Sequence, residues 1–165
     1  MKNLLFLGVA MFVLGMLLSC GITDYSGFCD MYIANESGHS VEFEVYDDYG
    51  RNPTTVAIPN GSIVKVRSYE DMGYASVDPQ RIFLDTVVFR FDDGMNMTCT
   101  GTLYEDGYYH TIVSPFSPEN NNVLDISSWD ITSTQKSKHC PLEIGVYTLT
   151  EESYHTAEYQ TISLP

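Results

Sequence analysis

Few spacings in this chain bring reactive side chains together, and each can be weighed against the chemistry it would need. Ser62-Ile63-Val64-Lys65 has the S-x-x-K spacing in which a lysine activates a serine nucleophile. That chemistry needs a helix, where residues three apart share a face. The segment instead alternates apolar and polar residues as a strand does, which sends Ser62 and Lys65 to opposite faces. Ser133-Thr134-Gln135-Lys136 repeats the pattern at the edge of a turn and fails for the same reason. The four histidines, His39, His110, His139 and His155, stand in separate segments with no H-E-x-x-H or H-x-H spacing. Neither a zincin site nor a hydrolytic triad can be built from them on paper. Asp47-Asp48 and Asp92-Asp93 each precede a glycine within two residues, and carboxylates on tight loops attract Ca²⁺. Neither pair offers six oxygens or a distal bidentate Glu, so both read as hairpin turn residues. No CxxC or Cys/His pair at zinc spacing is present. The expectation is no catalytic residue, no metal and no cofactor.

What remains is aromatic. Twelve tyrosines are more than a minimal core explains, and Tyr104, Tyr108 and Tyr109, with Phe116 and Trp129 farther on, crowd a region rich in Pro and Asn. Exposed rings of this kind stack on sugars or anchor a protein partner, so these five residues are the candidate binding surface. The competing reading is that tyrosine favours strands and sits half-buried on any sandwich. Eight Lys+Arg against 22 Asp+Glu, a net charge of −14, exclude nucleic acid as a partner, because the phosphate backbone would be repelled.

The N-terminus carries an address. Lys2 precedes Leu4 to Leu18, fifteen residues without a polar side chain, which is a secretory h-region. As a helix it would reach about 23 Å at 1.5 Å per residue, short of the roughly 30 Å hydrocarbon core. Leu17-Leu18-Ser19-Cys20-Gly21 follows directly and resembles a bacterial lipobox, which implies cleavage after residue 19 and lipidation of Cys20. Three acyl chains, each contributing about 0.8 kcal/mol per buried CH₂, would tether the domain permanently. The expected organisation is a signal peptide at 1–19, a tether at 20–27 and one domain at 28–165, held in the cell envelope on the outer membrane, on either face. Lipidation leaves Cys29, Cys99 and Cys140, of which at most one pair can bridge. Strand parity points Cys29 and Cys99 inward, either as a disulfide or as small buried hydrophobes.

The elements that must position these residues follow a period of two. Cys29, Met31 and Ile33 alternate with Asp30 and Tyr32, and Val41, Phe43 and Val45 with Glu42 and Glu44, across Asn35-Glu36-Ser37-Gly38. Further strands are expected at 54–58, 63–69 and 82–91, the last turning through Asp92-Asp93-Gly94 into Met95, Met97 and Cys99. Residues 108–113 read as a strand in an otherwise irregular stretch from 102 to 128, and strands resume at 129–134 and 142–148. Thr150 with Glu151 and Glu152 marks the start of a single short helix ending near Ala157. About eight strands and one helical turn predict an all-β, antiparallel β-sandwich, immunoglobulin-like or related.

IANESGHSVEFEV, FRFDDGMNMTC, SSWDITST and VYTLTEESYHTA resemble segments of the small lipoproteins of Bacteroidota, in which a signal of this type precedes an immunoglobulin-like or related sandwich. The closing Thr150, Glu151, Glu152, Tyr154 and Ala157 match their terminal pattern. Asp85-Thr86-Val87 resembles the short O-glycosylation signal of the same bacteria. The resemblance implies a fold and a location and carries no catalytic residues. The reading at this stage is a lipid-anchored envelope protein with a binding or structural role toward a glycan or protein partner. The alternatives are an envelope hydrolase with a site assembled from distant residues, or an accessory subunit of a surface assembly.

Overall fold

Cys29, Met31 and Ile33 turn inward from one strand and Val41 and Phe43 from the next, all of them buried, and this alternation repeats until two sheets close on one core. The computed structural model describes residues 26–46, 52–105, 110–119, 121–137 and 140–159. In chain order the elements are β1 (Ser26–Glu36), β2 (Val41–Val45), β3 (Thr54–Ile58), β4 (Ser62–Met72), β5 (Thr86–Phe91), β6 (Met95–Glu105), β7 (His110–Ser117), β8 (Trp129–Ser137), β9 (Cys140–Thr150), α1 (Glu151–His155) and β10 (Glu158–Tyr159). One sheet has the order β4-β1-β9-β8, the other β10-β6-β5-β2-β3 with β7 paired to β6. The protein is an all-β sandwich. Phe43 and Phe89 of one sheet lie 5.0 Å apart, and Phe89 stacks at 6.3 Å on Tyr147 of the other, with Trp129 5.7 Å beyond. This column of rings ties the layers together, each ring burying about 150–250 Å².

Three features depart from the sequence reading. β1 pairs with β9 in parallel, from Phe28 opposite Leu142 to Glu36 opposite Thr150, while the other ladders are antiparallel. Over a hundred residues separate these partners, so no local pattern marks the pairing. β1 also starts ahead of the Cys29–Ile33 alternation, at Ser26, and Gly27 within it packs closely on the Tyr74–Ala75 backbone. A Cβ there would lie 2.4 Å from the Ala75 amide nitrogen. Finally, much of the stretch expected to be irregular is the β6–β7 hairpin, and among the described residues between Ser117 and Trp129 the regular structure is a short 3-10 turn at Ile126–Ser128.

Local chemistry agrees elsewhere. Gly94 takes φ 87° at the β5–β6 turn, where a side chain would be strained. Thr150 and Ser153 form a reciprocal capping box at α1, with Glu151 and Glu152 in the first turn. Ser62 lies opposite Asn35 and Lys65 opposite Tyr32 with no bulge between, so the two point to opposite faces, and Lys65 pairs with Asp30 at 2.8 Å. Cys29 and Cys99 are free, buried thiols, each pushed up to about 11 mainly by burial.

Candidate functional site

The five candidate aromatics do not form one surface. Trp129 is a correction to the sequence reading: it is buried, its indole N–H donates to the Val123 carbonyl at 2.9 Å, and it packs on Tyr147. As the first residue of β8, opposite Tyr147 in the ladder, it faces the core. Phe116 is half-buried against the same core, close enough to Gly101 that a Cβ there would come within 3.1 Å of its ring. Tyr104 is 59% exposed on the β6–β7 hairpin beside Leu103. Tyr108, Tyr109 and Cys20 lie outside the described residues.

At the end of the sandwich opposite Ser26, three elements converge that the sequence keeps far apart. Short pairing of β2 with β5, Val41 opposite Phe91 and Glu42 opposite Arg90, brings the β1–β2 turn against the β5–β6 turn. His39 Nδ1 then meets Asp92 Oδ1 at 3.1 Å, and Asp92 Oδ2 accepts the Ser40 N–H at 3.1 Å. Asp93 accepts the Met95 N–H at 3.0 Å and the Tyr154 hydroxyl of α1 at 2.6 Å. The Tyr154 ring stacks on the His39 imidazole, centroids 4.2 Å apart and planes within 19°, and packs edge-on against Phe91. The backbone bond from Ser40 and the contact with His39 hold the Asp92 carboxyl below its usual range, and the Tyr154 and Met95 bonds do the same for Asp93. Ligating atoms of His39, Asp92 and Asp93 all lie within 4.8 Å of one another. Turn chemistry is the right account of each aspartate by itself, but it misses the histidine, which stands 53 residues away from Asp92.

Beside α1 lies an open groove of about 480 Å³, lined by Met97, Pro118, Glu119, Asn121, Thr150 and Glu152. Asn121, at φ 52°, is held by bonds from its amide to the Thr148 carbonyl and Ser153 hydroxyl, and its carbonyl accepts from Tyr147. The groove is therefore rimmed by carboxylates and hydroxyls, with Asn121 held in place on one wall. Pro118, Glu119 and Asn121 belong to the stretch that the sequence singled out, although Tyr104, Phe116 and Trp129 are not among the described residues that line the groove. Compared with known proteins, the chain matches no family model, no curated protein and no solved structure.

Proposed function

We propose that this chain is a lipid-anchored protein of the cell envelope, tethered through Cys20, whose sandwich binds a glycan in the groove between α1 and the Pro118–Asn121 segment. The observation that carries the binding role is the groove itself. Its volume lies in the range of small-molecule sites, and Glu119, Glu152 and Thr150 offer the acceptors and hydroxyls that pair with sugar hydroxyls. Orientation supports the same reading. β1 begins six residues after Cys20 and ends beside Thr150. An anchored domain would thus hold the groove at its far end, about 36 Å from the start of an 11-residue strand. The acidic body keeps the domain off anionic lipid.

The test uses the full chain in detergent micelles, screened by saturation-transfer NMR against a panel of neutral and aminated oligosaccharides. A hit should weaken at least about tenfold in the Glu119→Gln/Glu152→Gln double variant, with melting temperature unchanged because both side chains are exposed. Absence of any hit, or a hit indifferent to both substitutions, would sink the glycan reading. Fatty-acid labelling that persists in Cys20→Ala would sink the anchor.

A further inference from the structure

We propose that His39, Asp92 and Asp93 bind a divalent first-row transition-metal ion, with Zn²⁺ as its type, at the free end of the sandwich. Among the described residues this is the place where three such side chains converge, with ligating atoms within 4.8 Å of one another. Metal–ligand bonds of about 2.0–2.2 Å in a tetrahedral shell set ligand-to-ligand edges of about 3.4 Å, so small side-chain rotations close the site. The His39–Asp92 edge, at 3.1 Å, is already within a few tenths of an ångström of that length.

The donor set decides the ion. One imidazole nitrogen with two carboxylate oxygens suits zinc and its neighbours, whereas Ca²⁺ and Mg²⁺ select oxygen alone. The supporting contacts match those that orient metal ligands: each carboxylate is fixed by a backbone N–H, and the imidazole plane by the Tyr154 ring. Binding replaces the His39–Asp92 hydrogen bond, and the proton on Nδ1 passes to Nε2 or to solvent. Side-chain exposures of 32% for His39 and 53% for Asp92 leave the rest of the shell open to water or to an incoming ligand. The net charge of −14 concentrates cations around the domain.

The experiment takes the full chain in detergent with Cys140→Ser, which removes the partly exposed thiol, strips it with chelator and titrates it with ZnCl₂ by calorimetry. One ion per chain should bind with a dissociation constant of about 1–50 μM. His39→Ala and Asp93→Asn should each weaken binding at least about tenfold, while Asp130→Asn, an exposed acid on β8, should change nothing. His39→Gln, which keeps a polar side chain in the stack, separates loss of the ligand from damage to the turn, and on the parent Zn²⁺ should shift the His39 imidazole resonances. Binding that survives both His39 substitutions, falls equally with Asp130→Asn, or is matched by Ca²⁺ without regard to His39 would overturn the site.

Discussion

Asn121–Trp129 and the β6–β7 hairpin both fall within the aromatic, turn-rich stretch that the sequence presents as one region, yet the protein treats them in opposite ways. The first is sewn between the sheets. Asn122 donates to the Thr100 and Ser117 carbonyls at 3.0 and 2.9 Å and accepts from the Leu124 N–H at 2.8 Å; the Trp129 indole reaches Val123. Irregular backbone inside a core needs such partners for every polar group. Among the described residues, no buried side-chain nitrogen or oxygen lacks one. The hairpin satisfies its backbone by the β ladder, Leu103 opposite Ile112 and Tyr104 opposite Thr111, and leaves Leu103 and Tyr104 in solvent. Aromatic content is the same signal in both. What separates them is where the hydrogen bonds go, and the sewn segment is the one that can hold a groove wall in place.

The sharpest way to break that contrast is Trp129→Ala. Removing a buried indole that packs on Tyr147 should cost about 3–5 kcal/mol, read as a lower urea midpoint. A loss under about 1 kcal/mol would mean the indole is not part of the core. Next comes Asn122→Ala, which strands two carbonyls and one N–H and should cost about 1–3 kcal/mol. Asn122→Asp refines the point: it keeps the acceptor for Leu124 but sets an oxygen against the Thr100 and Ser117 carbonyls, so it should be at least as damaging as alanine.

How much of this was legible depends on distance along the chain. The β5–β6 turn was readable because Asp92-Asp93-Gly94 carries its own conformational preference, and α1 because Thr150 caps it within three residues. The strands over Cys29–Ile33 and Val41–Val45 were readable because alternation is local. The parallel β1–β9 pairing was not, since strand identity says nothing of the partner. His39 could not be joined to Asp92 without knowing that Val41 lies opposite Phe91. Trp129 was misread because it was grouped with the aromatics of the irregular stretch before it; the polar Asp130, Thr132 and Thr134 mark the outer face of β8, and alternation alone sends Trp129 to the other. The groove walls come from β6, the Pro118–Asn121 segment and α1, and only tertiary packing assembles them.

The smallest expected effect tests the other side of the contrast. Tyr104→Ala removes a ring that is mostly exposed on the hairpin and stands opposite Thr111. Losing an aromatic cross-strand pair costs about 0.2–1 kcal/mol, so the urea midpoint should move by a small fraction of what Trp129→Ala produces. Hydrogen exchange refines the reading, because local fraying at Leu103 and Tyr104 should speed exchange in the hairpin alone and leave the Asn122–Trp129 amides at their parent rates. If Tyr104→Ala instead destabilises as strongly as Trp129→Ala, the hairpin is packed against something, and the division into a sewn segment and a projecting one fails. If stability holds while a glycan found for the groove binds unchanged, Tyr104 has no part in that site. A drop in glycan affinity at constant stability would extend the site from the groove to the hairpin, uniting two regions that the strand register keeps apart.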